Sequence, residues 1–202
     1  MRILKDNKYN AILNAAQNEF ITKGFKDASM RDIAKHADVG LSNIYNYFKN
    51  KDEIFLAIVK PAKDDLFKFI TLQHSEENFD SNKISPFGHR EKDIEYYINL
   101  LAKYKDEFRL LLYHSQGSSM SNFREVLTDH ITRVSHDYMT LEKKHYPDAN
   151  EVSDFFIHVM SSWIVSILGE IVTHNLSRHS TDKFFKEYFR FGFVGWRELT
   201  GT

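Results

Sequence analysis

Residues 29–55 read SMRDIAKHADVGLSNIYNYFKNKDEIF, and this stretch holds two short helical patterns separated by a turn. The Ser29 hydroxyl stands where it can cap the amide of Asp32 while the Asp32 carboxylate reaches back, so a helix is predicted from Met30 to about Ala37. Asp38-Val39-Gly40 supplies turn residues. In the next segment, Leu41 to Phe48, Ile44 and Phe48 are four apart and face inward. Leu41, Ser42, Asn43, Asn46 and Tyr47 lie toward the outside, and Tyr45 sits at the edge. Asn50-Lys51-Asp52-Glu53 is a second capping box and opens a fourth helix with Ile54, Phe55, Ile58 and Val59 as apolar positions. Pro61 falls inside that helix, has no amide proton and crowds the carbonyl of Ala57, so a kink or break is expected there.

Ahead of this stretch, Tyr9, Ile12, Ala16 and Phe20 form one apolar stripe, which predicts a first helix from about Asn7 to Lys23. Gly24 can take the left-handed conformation that ends it, with Phe25 folding back. A three-helix unit over residues 1–50 follows. Two short helices around a tight turn read DNA when the second offers polar and aromatic tips to the major groove and the first lies across the backbone. Asn side chains can bond adenine, Ser and Tyr hydroxyls suit phosphate oxygens, and Leu41 can touch a thymine methyl. Arg31 and Lys51, at the starts of flanking helices, suit phosphates. The plainer reading is a small helical bundle that never touches DNA.

Charge is unevenly spread. Residues 1–51 carry nine basic side chains against five acids, about +4, which leaves about −5 on the remainder of a chain whose net charge is −1. A basic head on an acidic body fits a polyanionic partner. The chain has no cysteine, which removes disulfides, thiolate metal sites and a cysteine nucleophile, and fits a reducing compartment. There is no Gly-rich phosphate loop, no GxSxG and no HExxH, so no catalytic residues, enzyme activity or cofactor are expected. Ten histidines include no i, i+4 pair, and the pairing of Glu170 with His174 reads as surface chemistry, so no metal is expected. The opening MRILKD lacks a signal-like apolar run, and no later stretch is expected to reach the roughly 18 apolar residues of a membrane span. A cytoplasmic protein with no membrane partner is the expectation.

With 8 glycines, 3 prolines and apolar residues three or four apart, the whole chain reads as helical. Residues 73–89 have loop composition, and further helices are predicted over Glu91–His114, Asn122–His145, Glu151–Asn175 and Thr181–Leu199. The last two are apolar on more than one face, which needs two burying surfaces: the core, and a twin subunit reached through Phe156, Trp163, Ile167, Phe184, Tyr188, Phe191 and Trp196.

The run from Ser29 to Phe55 closely resembles the DNA-binding domain of the TetR family of bacterial repressors. It shows a capping hydroxyl, Ile-Ala, Val, then aliphatic-Tyr-x-Tyr-Phe and Lys-x-x-aliphatic in register, and AAQNEFITKGF resembles the family's first helix. The resemblance covers about a quarter of the chain. It implies an all-α regulator with a helix-turn-helix domain over 1–50 and a helical ligand-binding and dimerisation domain over 51–202. It assigns DNA contacts to Arg31, Leu41, Ser42, Asn43, Tyr45, Tyr47 and Lys51, with Asn46 added by the outward-facing pattern. It further implies a homodimer on palindromic operator DNA, released by a small-molecule inducer of unknown identity. Phe108, Tyr113, Phe123, Tyr138, Met160 and Trp163 are the candidates for the inducer pocket. Two positions depart from the family: Asp38 stands where Gly is common, and Gly40 where Ser or Thr is usual. A dimeric helical scaffold without sequence-specific DNA binding is the alternative.

Overall fold

A computed structural model describes residues 2–76, 91–174 and 176–201, which are helical with no strand among them. The elements are α1 (Arg2–Asp27), α2 (Met30–His36), α3 (Leu41–Tyr45), α4 (Lys51–Gln73), α5 (Glu91–Lys103), α6 (Lys105–Tyr113), α7 (Phe123–His145), α8 (Asp154–Thr173) and α9 (Arg178–Thr200). They group into two compact units, residues 1–64 with 105–124 and residues 65–104 with 125–202.

In the first unit the α1 stripe is buried through Ile12, Ala16 and Phe20. The regular helix ends at Gly24, whose φ of 77° and ψ of 162° lie on the positive-φ side expected for a helix stop, but outside the left-handed helical basin. The turn sends Phe25 back against Phe20, with ring centroids 5.7 Å apart, and both rings meet Phe55 edge-on at 5.2–5.3 Å. The amide of Phe25 donates to the carbonyl of His114 at 2.9 Å, which ties the turn to the end of α6. Local sequence signals had placed α5 and α6 in one helix; it breaks at Tyr104, and α6 buries Phe108, Leu110, Leu111 and Leu112 in this unit. At the start of α4 the Asn50 side chain accepts from the amide of Glu53 at 2.9 Å, while Glu53 reaches back to the amide of Lys49 at 2.7 Å. The helix then runs unbroken through Pro61, against the expected break; Pro61 lies on the exposed side, where the carbonyl it leaves unbonded can be hydrated.

In the second unit the C-terminal part of α4 joins α5, α7, α8 and α9. Tyr97 of α5 stacks on Phe185 of α9 at 5.6 Å and meets Phe69 of α4 edge-on at 4.4 Å. Ser153 caps α8 and Ser177 caps α9, and α9 stops at Gly201 in the left-handed conformation. Both helices are apolar on two sides, as expected. On α8, Ile157, Ser161, Val165, Gly169 and Val172 are buried while Phe155 is 77% and Trp163 38% exposed. On α9, Phe191 is 68% exposed. One expectation needs correction: by length and composition α8 is apolar enough to cross a membrane, because its outer face is as apolar as its inner one. Most of the expected 73–89 connection lies outside the described residues.

The buried carboxylate of Glu142 in α7 accepts from the Trp196 indole, with N–O distances of 2.9 and 3.2 Å. Burial pushes the Glu142 carboxyl above its ordinary 4.5, and the Trp196 bond opposes the rise. A carboxyl with a raised folded-state pKa favours folding most below its unfolded pKa, and that contribution is lost as pH climbs through the folded value. Glu142→Gln keeps an acceptor for the indole and removes the titration. Urea midpoints measured from about pH 4 to pH 8 should therefore fall less with pH in this variant than in the wild type.

Candidate nucleic-acid interface

The helix-turn-helix is built by local caps. Ser29 Oγ accepts from the amides of Arg31 at 3.2 Å and Asp32 at 3.4 Å, which fixes the start of α2. The Asp32 carboxylate takes the Lys23 ammonium at 3.1 Å, and the same ammonium lies 2.7 Å from the buried Glu19. Bonds to Glu19 and then Asp32 raise the Lys23 pKa above its ordinary value, so this lysine is a fixed cation that links α1 to α2. His36 adds a nitrogen 3.7 Å from Glu19.

After α2 the chain reverses through Asp38, whose φ of 51° places a side-chain-bearing residue on the left-handed side. Val39 donates back to the carbonyl of Ala34 at 3.0 Å. Gly40 caps α3 with backbone alone; its φ of −67° suits any residue, and an added Cβ would meet only the tips of Ser42 and Asn43 at 3.8 Å. No steric demand for glycine exists there. The following α3 is a helix of five residues, ending at Tyr45 rather than Phe48. Ile44 and Phe48 are buried as the spacing predicts, and Phe48 stacks on Tyr9 at 5.3 Å.

Around this core, Arg31, Ser42, Tyr45 and Asn46 are exposed, Tyr45 by 53%. Leu41, Asn43 and Tyr47 are half-buried, and the Tyr47 ring lies 6.1 Å from Tyr9. Lys51 is placed differently. Its ammonium donates to the carbonyls of Ala28 at 2.7 Å and Lys26 at 3.1 Å and lies 4.6 Å from the centre of the Phe25 ring. Burial lowers its pKa, with Asp27 opposing. Two of its three protons are committed to carbonyls at the end of α1 and just past it. Lys35 and Lys49, which the sequence reading did not single out, are exposed cations of the same unit.

The described residues of the second unit line a partly open cavity of about 90 Å³. Of the residues expected to line an inducer pocket, Met160 does so; Phe108 and Phe123 are core of the first unit, where Tyr113 is exposed under Arg124. Tyr138 is buried with its ring 6.0 Å from His74, and Trp163 stands on the outer face of α8. Of the expected interface residues, Phe156, Trp163 and Phe191 are exposed and Phe184 is half-buried. Tyr188 and Trp196 are buried and, with Ile167, line the cavity. His74 also lines it; its place beside a loop-like stretch gave no periodic signal.

Residues 12–58 match the family model described as bacterial regulatory proteins, tetR family. Over these residues the chain is similar to that family's helix-turn-helix segment. Among curated relatives, the Bacillus subtilis HTH-type transcriptional regulator YhgD is 45% identical over 56 residues, 26% of this chain and 29% of that protein. The fatty acid metabolism regulator protein of the same organism is 38% identical over 56 residues, 28% of this chain and 29% of its own length. The chain thus spans less than a third of the length of these relatives. A solved structure of a tetR-family regulatory protein from Rhodococcus RHA1 shares the fold at 17% identity, with a TM-score of 0.64 over 94% of this chain and 96% of that one.

Against the family pattern, Asp38 keeps the positive φ that explains why glycine is common there. Asp tolerates this region better than Ala does. Asp38→Ala should lower the unfolding free energy by about 1 kcal/mol while Asp38→Gly leaves it equal or higher, an order that urea titration reads directly. Lys51→Met should also destabilise, by about 1–3 kcal/mol, because it leaves two carbonyls without their charged donor. If Lys51→Met unfolds at the wild-type urea midpoint, the carbonyl bonds are not holding the turn.

Proposed function

We propose that the protein is a transcriptional repressor that binds a palindromic operator as a homodimer and is released by a small-molecule inducer. The observation that carries the reading is the pairing of a buried Ile44–Phe48 core with exposed Ser42, Tyr45 and Asn46 on the helix that follows the turn. These tips suit base edges and phosphates, and exposed Arg31, Lys35 and Lys49 suit the backbone. Arg31, Leu41, Asn43 and Tyr47 complete the proposed contact set, whereas Lys51 acts by holding the turn.

The homodimer reading rests on the exposed apolar side of α8 and α9, where Phe155, Phe156, Trp163 and Phe191 would otherwise face water. A two-fold dimer sets two recognition helices about 35 Å apart, on successive turns of DNA. The inducer reading rests on the cavity, and α4 supplies residues both to the head, through Phe55 and Val59, and to the cavity wall, through Leu66 and Ile70. A ligand that favours one conformation of α4 shifts the population that fits the operator.

Fluorescence anisotropy with DNA from upstream of the gene tests the reading. The wild type should bind at nanomolar concentration in the presence of competitor DNA, with affinity falling steeply as salt rises. Tyr45→Ala and Asn46→Ala, both exposed, should weaken binding about 10-fold or more without lowering thermal stability. Binding that is absent at every salt concentration would favour the scaffold reading instead.

A further inference from the structure

The cavity wall is drawn from α4, α5, α7, α8 and α9, and no Lys, Arg, Asp or Glu stands among its described residues. Its polar groups are those of His74, Ser135, Ser161 and Trp196 and the buried Tyr97 and Tyr188 hydroxyls, all neutral donors or acceptors. The Trp196 indole donates to Glu142, and the Ser161 hydroxyl donates to the carbonyl of Ile157 at 2.8 Å, leaving an oxygen that can accept. His74 Nδ1 lies 2.8 Å from the carbonyl of Ile70. A carbonyl only accepts, so Nδ1 carries the proton and Nε2 is left as an acceptor. Burial, aided by nearby His130 and opposed by the Ile70 bond, keeps the His74 pKa below its ordinary value, so the ring stays neutral. Ser135, also buried in the wall, brings a hydroxyl that can donate or accept.

A wall of this kind satisfies a ligand that presents one neutral polar group and buries the rest of its surface against aliphatic and aromatic side chains. An ionised carboxylate or phosphate would lose its hydration and find no counter-ion, a loss that apolar contacts do not offset. The volume is somewhat below the roughly 150 Å³ of an engineered apolar cavity that takes benzene, which sets the occupant at a few carbon atoms. We propose that the cavity takes a neutral, chiefly apolar small molecule, a short alkyl chain or ring with a single hydroxyl or carbonyl, and rejects the ionised acid of the same chain. The inducer role of that molecule rests on the regulator reading above; its binding does not.

The test is a titration of the full chain, without DNA, with butan-1-ol and with butanoate at pH 8. Trp196 lines the cavity and Trp163 does not, so in Trp163→Phe, which leaves one of the chain's 2 tryptophans, the fluorescence reports the wall. Butan-1-ol should give a saturable change and a higher Tm, with half-saturation at least about 100-fold lower than butanoate. Ser135→Leu, which fills the space, should abolish the change; if that variant does not fold, the alcohol-to-acid ratio on Trp163→Phe decides alone. Butanoate binding as tightly as the alcohol, or no saturable response to the alcohol, overturns the proposal. A protein that binds butan-1-ol but no operator sinks the regulator reading and leaves this one standing; the reverse result does the opposite.

Discussion

At Gly24 the backbone turns with φ 77° and ψ 162°, a conformation that side-chain-bearing residues rarely adopt, and the head is organised around that turn. It is what lets Phe25 fold back between Phe20 and Phe55, and what aims the Phe25 amide at the His114 carbonyl. A reversal leaves carbonyls pointing away from any helix, and those of Lys26 and Ala28 are taken by the Lys51 ammonium. The start of α4 is thereby fixed against the end of α1, and the short α2 and α3 have a frame to pack on. A five-residue helix such as α3 has no stability of its own. Its geometry comes from Ile44 and Phe48 sitting in that frame.

This sorts the basic residues of the head by what their charge does. Lys23 and Lys51 are spent on the fold, one bridging α1 to α2 and the other closing the turn. Arg31, Lys35 and Lys49 remain exposed. A count of charges along the sequence cannot make that division, because it depends on which carbonyls and carboxylates the fold brings within about 3 Å. The head keeps its net charge, but Lys23 and Lys51 hold their share of it against carboxylates and carbonyls of the fold.

What was legible in the sequence was whatever is decided within a few residues. The Ser29 cap, the Asn50–Glu53 box and the Ile44–Phe48 spacing each encode a local bond or a local face, and each formed, while Gly24 stops the helix at a positive φ outside the left-handed basin and Asp32 turns to Lys23. The assignments that depended on distant partners fared differently. The α5–α6 region has one continuous apolar pattern, so nothing local marks the break at Tyr104 or sends α6 to the first unit. Aromatic character suggests a pocket for Phe108 and Phe123, yet the same property makes them core. Tyr188 and Trp196 are buried rather than on an outer face of α9, because both of its faces are apolar and hydropathy alone does not say which of them turns inward.

That last ambiguity bears on function. The inner faces of α8 and α9 meet a space that their side chains do not fill, whereas the outer faces carry bulky rings that the described residues leave exposed. In a well-packed core a void of this size forfeits dispersion contacts along its whole lining, and each exposed ring costs hydration free energy. Both costs vanish if a neutral apolar molecule occupies the one and an apolar surface covers the other. The two faces of the same helices thus make opposite demands on partner size while sharing one on polarity. The buried Glu142 lies beyond Trp196, where its carboxyl is taken by the indole and absent from the cavity wall. One buried hydrogen bond thus holds this acidic group off the wall, and the described lining presents only neutral groups and His74.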